Sequence, residues 1–261
     1  MNSMTDECIF TYFVGTAGSG KSTLTGAFRQ WFNLKGLDAV VVNLDPGAES
    51  LPYTPDIDIR DWVSLKKVMR EYDLGPNGAQ IVCADMIALN TEDIKESIKS
   101  FKTDYVLIDT PGQIELFVFR EAGNFLVSHL NPQASIVAYL LDPVLTKTAS
   151  GFVTQLLLSL TTRFRLGVPV VNLLSKCDLV SERDQREIEK WSTMDQHIYE
   201  TIIREKPSVH RELSEQIMFL LRHFGESVSP IMISGTTYAG MEDLYTVLQM
   251  YFRGGEDTLS D

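Results

Sequence analysis

Gly15-Thr16-Ala17-Gly18-Ser19-Gly20-Lys21-Ser22-Thr23 satisfies the pattern G-x-x-x-x-G-K-[ST] at every position. A short apolar run, residues 9–14, leads into it, and a helical pattern starts near Lys21. The motif therefore has the strand–loop–helix setting that it requires. The glycines Gly15, Gly18 and Gly20 permit backbone conformations that a side chain would block. Backbone N–H groups can then converge on phosphate oxygens at a helix N-terminus. Lys21 supplies a point charge to the β- and γ-phosphates, and the Ser22 hydroxyl is placed to ligate Mg²⁺.

Outward from this loop, further apolar runs recur at residues 39–43, 105–108, 135–141, 168–174 and 230–233. They are rich in Val, Ile and Tyr and too short for helices, so they read as buried strands of a parallel sheet. The segments between them are amphipathic, as in Trp62, Leu65, Val68, Met69 and Tyr72 at helical spacing. This alternation predicts an α/β fold, a doubly wound and mostly parallel sheet with helices on both faces. We expect a single domain over residues 1–261, with insertions at about 45–80 and at 181–226. The first mixes loops with one helix. The second holds two or three helices, with Ile217, Leu220, Leu221 and Phe224 at helical spacing. The tail from Gly254 to Asp261 reads as frayed.

Composition limits the alternatives. The chain has 261 residues, 44% of them hydrophobic and 22% charged, which is enough apolar material for an ordered core. Collagen-like and disulfide-scaffold proteins are excluded. Acidic residues number 35 against 23 Lys and Arg, a net charge of −12, with no long basic run to hold bare nucleic acid. Cys8, Cys83 and Cys177 form no C-x-x-C pair, which suits a reducing compartment. Residues 1–7 lack a secretory n-region, and the uncharged stretch 148–162 is interrupted by Ser, Thr and Gln. We therefore expect a cytoplasmic protein that engages neither nucleic acid directly nor a membrane.

Four strand ends add candidate chemistry. Asp109-Thr110-Pro111-Gly112-Gln113 follows one run; Asp109 can hold Mg²⁺ through water, and the Gly112 N–H can meet a γ-phosphate. Ser175-Lys176-Cys177-Asp178 follows another. Asp178 can accept two hydrogen bonds from guanine N1–H and its 2-amino group, an edge that adenine lacks, while the Lys176 stem lies over the base. The usual pattern is Asn-Lys-x-Asp, so Ser175 forgoes the amide that normally braces this loop. Ser234-Gly235-Thr236 follows the last run, where G proteins place a base-contacting Ser-Ala-x loop. Asp45-Pro46 follows the second run, and at the carboxyl end of a strand Asp45 lies near the phosphate loop. There it can bind a Mg²⁺-bound water or position the attacking water. Gln113 and Glu115 are the other candidates for that task, and Glu115 can instead begin the next helix, where an acid favours the dipole.

Taken with Tyr53-Thr54-Pro55-Asp56-Ile57-Asp58-Ile59-Arg60-Asp61 and Gly75-Pro76-Asn77-Gly78, this ordered set resembles the GPN-loop GTPases over nearly the whole chain. Without a long C-terminal extension, it looks more like the archaeal branch. The resemblance implies the dimeric class of P-loop GTPases related to the MinD and signal-recognition-particle types, with GTP as substrate, GDP as product and Mg²⁺ as cofactor. It implies a homodimer in which Gly75, Pro76 and Asn77 act in trans at the partner's γ-phosphate. It further implies a client protein, since eukaryotic relatives act in RNA polymerase assembly. The extra Lys that MinD-like relatives carry early in the loop is missing at Gly15-Thr16-Ala17. Arg60 is an arginine-finger candidate by proximity to Asp45. The rival readings are a P-loop small-molecule kinase, with Arg163 and Arg165 as lid residues, and a module that binds GTP without hydrolysing it.

Overall fold

The computed structural model describes residues 8–193, 195–204, 216–217 and 229–254. Seven strands form one sheet: β1 (Ile9–Gly15), β2 (Ala39–Asn43), β3 (Ile57–Asp58), β4 (Tyr105–Asp109), β5 (Ser135–Leu141), β6 (Val170–Leu174) and β7 (Ile231–Met232). Their order is β3-β2-β4-β1-β5-β6-β7, and every pairing is parallel. The expected doubly wound sheet is thus present. All strand ends that carry the candidate motifs emerge on one edge, and β1 sits between β4 and β5, where the winding changes direction.

Strand alternation sorts the core onto two faces. Ile9 and Phe13 of β1, Tyr105 and Leu107 of β4, and Ile136, Ala138 and Leu140 of β5 face one side. There they meet α1 (Lys21–Leu34) and α9 (Met241–Phe252). Phe28, Trp31 and Phe32 form the buried stripe of α1. Phe32 lies edge-on to Phe28 and against Tyr105, both with centroids 4.7 Å away, contacts worth about 0.5–1.5 kcal/mol each beyond their buried area. Phe10, Tyr12 and Val14 of β1 and the alternate residues of β4 and β5 face the other side. That side is covered by α2 (Leu65–Glu71), α3 (Pro76–Leu89), α4 (Thr91–Lys99), α5 (Glu121–Leu130), α6 (Ala149–Leu166), α7 (Glu182–Thr193) and α8 (Asp195–Arg204).

The region 45–80 departs from expectation. It holds a strand, β3, two residues long and framed by Pro and Asp, which carries too little apolar pattern to read from sequence. It also holds α2 and the start of α3, where one helix was expected. Trp62 lies outside α2, which begins at Leu65 after the Ser64 cap. Gly75-Pro76-Asn77 is the beginning of α3: Gly75 is its N-cap and Pro76 its first residue, the position where a missing N–H costs least. In the second insertion α7 and α8 match the expected helices, and Ile217 packs against the core. Leu220, Leu221 and Phe224 lie outside the described residues, as do residues 1–7 and 255–261.

Candidate nucleotide site

The loop between β1 and α1 is shaped by two different demands on glycine. Gly18 and Gly20 have φ of 77° and 99°, the left-handed region that side chains resist. Gly15 is instead short of space, since a Cβ there would stand 2.9 Å from the Leu140 carbonyl. The Lys21 ammonium is buried and donates to the carbonyls of Gly15 (3.0 Å), Thr16 (3.1 Å) and Gly112 (2.8 Å). Burial holds its pKa below the ordinary lysine value, opposed by the charges of Asp109 and Asp45. Ser19 is buried, Thr16, Gly20 and Ser22 are half-buried, and Ala17, Gly18 and Thr23 are exposed. The Ser19 and Thr16 hydroxyls have no hydrogen-bond partner among the described residues.

Asp109 ends β4 and is fully buried. Tyr53 donates its hydroxyl to Asp109 Oδ2 at 2.7 Å. The other oxygen, Oδ1, is buried without a partner among the described residues. Burial pushes the Asp109 carboxyl up to about 6, against the opposing influence of Ser22, Tyr53 and Lys21. Asp109 and Ser22 are therefore neighbours, an all-oxygen pair of the kind a hard divalent cation takes.

Asp45 does not present a free carboxylate. Its Oδ1 accepts the Gly47 N–H at 2.8 Å and its Oδ2 accepts the Gly112 N–H at 3.0 Å. Its turn is braced from behind by buried Asn43, whose amide accepts from the Asp45 N–H and donates to Asp58. Gly112 is thus gripped on both sides of its residue, by Asp45 at the N–H and by Lys21 at the carbonyl. Gln113 and Glu115 are exposed. Glu115 lies in a separate 3₁₀ turn, 114–116, and does not begin α5, which starts at Glu121.

At the base end, Lys176 has a left-handed backbone (φ 52°) and donates its ammonium to the Gly18 carbonyl at 2.6 Å. Asp178 accepts from Ser234 (Oδ1, 2.6 Å) and from Thr236 (Oδ2, 3.0 Å). These hydroxyls, Ser234 first, hold its carboxyl below the ordinary aspartate range. The bracing amide that Ser175 lacks is replaced: the Ser175 hydroxyl and N–H both donate to the Leu141 carbonyl, tying the ends of β6 and β5. At Gly235, where Ala is common, a Cβ would come 3.2 Å from the Thr23 side chain of α1, a tight but relievable contact. Between these loops lies a cavity of about 210 Å³ lined by Gly20, Thr23, Lys176, Asp178 and Thr236 among others.

Two expectations are corrected. Arg60 is no free finger: it pairs with Asp58 at 2.5 Å and donates to the Ala48 carbonyl. Arg165 is no lid residue, since it donates to the carbonyls of Val118 and Phe119 and pairs with Glu121. Asn77 is exposed at the N-terminus of α3, one turn from Gln80, which approaches Gly47. Tyr53 and Asn43 escaped sequence reasoning as site residues; the only signal was the place of Tyr53 in the shared Tyr53–Asp61 stretch.

A family model described as a conserved hypothetical ATP binding protein matches residues 13–253. A GPN-loop GTPase of Pyrococcus abyssi is 34% identical over 242 residues, 92% of this chain and 96% of that protein. GPN-loop GTPase 3 of Kluyveromyces lactis is 35% identical over 218 residues, 81% of this chain and 80% of its own. The crystal structure of the Pyrococcus abyssi protein, a GTPase in apo form, superposes with a TM-score of 0.85 at 32% identity, covering 96% of this chain and 99% of that one.

Proposed function

We propose that this chain, a member of the GPN-loop GTPase family, works as a homodimeric switch that hydrolyses GTP in the cradle between Gly15 and Gly112. GTP binding and hydrolysis to GDP and phosphate are the activity of that family. The proposal concerns the residues that perform them here, and the assembly in which they act.

The observation that carries the reading is the position of Lys21. Its ammonium is buried among three carbonyls at the mouth of α1, acceptors that it can exchange for β- and γ-phosphate oxygens. Backbone amides of the loop and the positive end of α1 can add donors at the same place. Catalysis of phosphoryl transfer is mainly positioning and charge stabilisation, and this loop supplies both. Ser22 and Asp109 would hold Mg²⁺, a fit supported by their oxygen donors and by the buried, unpartnered Asp109 Oδ1. The ion, when bound, neutralises charge on the phosphate oxygens. Among Asp45, Gln113 and Glu115, we assign the water-orienting role to Asp45, because its carboxylate alone already reaches the Gly112 N–H. Asp178, oriented by Ser234 and Thr236, reads guanine, with Lys176 and Gly235 completing the base loop.

The homodimer is supported by the start of α3. Gly75, Pro76 and Asn77 are exposed. Gly75, the N-cap of α3, has φ of −68°, and among the described residues no atom lies within 4 Å of where its Cβ would be, so no close contact there requires glycine. We read this open position as room for a partner's close approach. A role in assembling a larger complex such as RNA polymerase rests on the family resemblance, as does the client protein. Among the described residues no helix is long and apolar enough to cross a membrane.

Phosphate release from GTP and from ATP, with Mg²⁺, on native protein and on Lys21→Ala and Asn77→Ala, tests the proposal alongside sedimentation with GDP and a non-hydrolysable GTP analogue. We expect GTP turnover that Lys21→Ala lowers by about 10²–10³, and a dimer. Equal turnover of ATP and GTP overturns the base assignment; a monomer with undiminished activity overturns the trans role of Asn77.

A further inference from the structure

We infer that Tyr53 is a positioning residue for the magnesium-holding carboxylate: its hydroxyl fixes Asp109 Oδ2 and thereby leaves Oδ1 as the oxygen that takes the ion's water. The inference deepens the reading of this site as a magnesium-dependent GTP site and rests on it. Asp109 is fully buried at the end of β4, so its two oxygens are not averaged by solvent. One oxygen receives the Tyr53 hydroxyl at 2.7 Å, and the other has no hydrogen-bond partner among the described residues. A buried carboxylate oxygen without a donor is costly unless a ligand supplies one.

The phenol is held as firmly as the acid. Its ring lies on α1 at Gly26, where a Cβ would come 3.1 and 3.2 Å from Tyr53 Cβ and Cδ1, so the glycine makes room for the ring. Just beyond it, Arg29 of α1 donates to the Thr54 carbonyl and pairs with Asp56. Asp56 in turn accepts the Val41 N–H of β2. The segment carrying Tyr53 is therefore pinned to both the phosphate-loop helix and the sheet, and the hydroxyl cannot drift when Asp109 engages an ion.

Tyr53→Phe keeps the ring and removes only the donor, while Tyr53→Leu removes both. Mn²⁺, as a paramagnetic stand-in for Mg²⁺, is titrated into the GDP-loaded protein and followed by electron paramagnetic resonance; GDP affinity is measured separately in EDTA. Groups that orient a metal's carboxylate typically contribute 10- to 100-fold in metal affinity. We expect Tyr53→Phe to weaken Mn²⁺ binding about tenfold and to leave the metal-free GDP affinity unchanged. Native-like Mn²⁺ binding by Tyr53→Phe, with loss confined to Tyr53→Leu, assigns the effect to ring packing and overturns the inference. An equal loss of GDP affinity in EDTA overturns it too. Absence of GDP binding by the native protein defeats the site reading itself and is thereby told apart.

Discussion

Asp45 Oδ2 lies 3.0 Å from the Gly112 nitrogen, on the N–H that sequence reasoning reserves for a terminal phosphate. Carboxylate and phosphate are both anionic acceptors, and one backbone amide serves one of them well. Binding of a triphosphate at this amide has to displace Asp45, and the displaced carboxylate is then free to hold a water beside it.

Removing the competitor separates binding from turnover. A hydrogen bond to a charged group is worth about 1.5–3 kcal/mol net. Asp45→Ala should therefore tighten binding of a non-hydrolysable GTP analogue relative to GDP by about tenfold, while hydrolysis falls. Calorimetry with both nucleotides reads the ratio; an unchanged or reversed ratio removes the competition.

Asp109 sets a pH dependence on the ligand-free fold. Its carboxyl is raised to about 6 by burial, whereas an unfolded chain titrates near the ordinary aspartate value of about 3.9. Between these values the native state binds more protons than the unfolded state, so stability falls as pH rises through that window. Asp109→Asn keeps an acceptor for Tyr53 and removes the buried charge. In EDTA without nucleotide, it should raise the melting temperature at pH 7.5 by a few degrees, roughly 2–3 kcal/mol, and by less at pH 5. Thermal scans at the two pH values check this; a destabilised Asp109→Asn at pH 7.5 contradicts it.

Asp178 behaves oppositely. Ser234 and Thr236 hold it below the ordinary aspartate range, so its charge persists and guanine affinity should stay flat from pH 8 to about 5. Thr236→Val removes one orienting hydroxyl and should weaken GDP by about three- to tenfold while leaving weak ADP binding untouched. Competition binding at several pH values measures both effects. Parallel losses for GDP and ADP would place Thr236 outside base selection.

Arg60 braces the Asp45 turn through Asp58 and Ala48. A finger acting on the transition state is worth about 10³–10⁵ in rate, whereas a half-exposed ion pair contributes about 1 kcal/mol or less to stability. Arg60→Ala should accordingly lower the melting temperature slightly and change kcat by no more than a few-fold. A thousandfold drop in kcat at an intact melting temperature restores the finger.

The phosphate loop was legible because its chemistry is local: nine consecutive residues specify strand end, turn, charge and helix start. The sheet was legible for the same reason, each long strand being a self-contained apolar run. Tyr53 and Asp109 meet across 56 positions of chain, and nothing in either neighbourhood announces the other. β3 failed for want of length, since two residues between prolines and carboxylates show no periodicity. Arg60 departs from the finger expectation because Asp58, two positions away, holds its guanidinium. The grip of Asp45 on Gly112 joins two loops that the topology, and not the local pattern, brings together.

Lys176 spans from the loop beside Asp178 to the carbonyl of Gly18, passing over Gly20. A competitive inhibitor built only to fill the 210 Å³ hollow beside Asp178 would therefore still feel the 15–23 loop through this latch. Medicinal chemistry against this enzyme has to treat the two compartments as one lock, and a fragment that leaves the lysine fastened starts with the better scaffold.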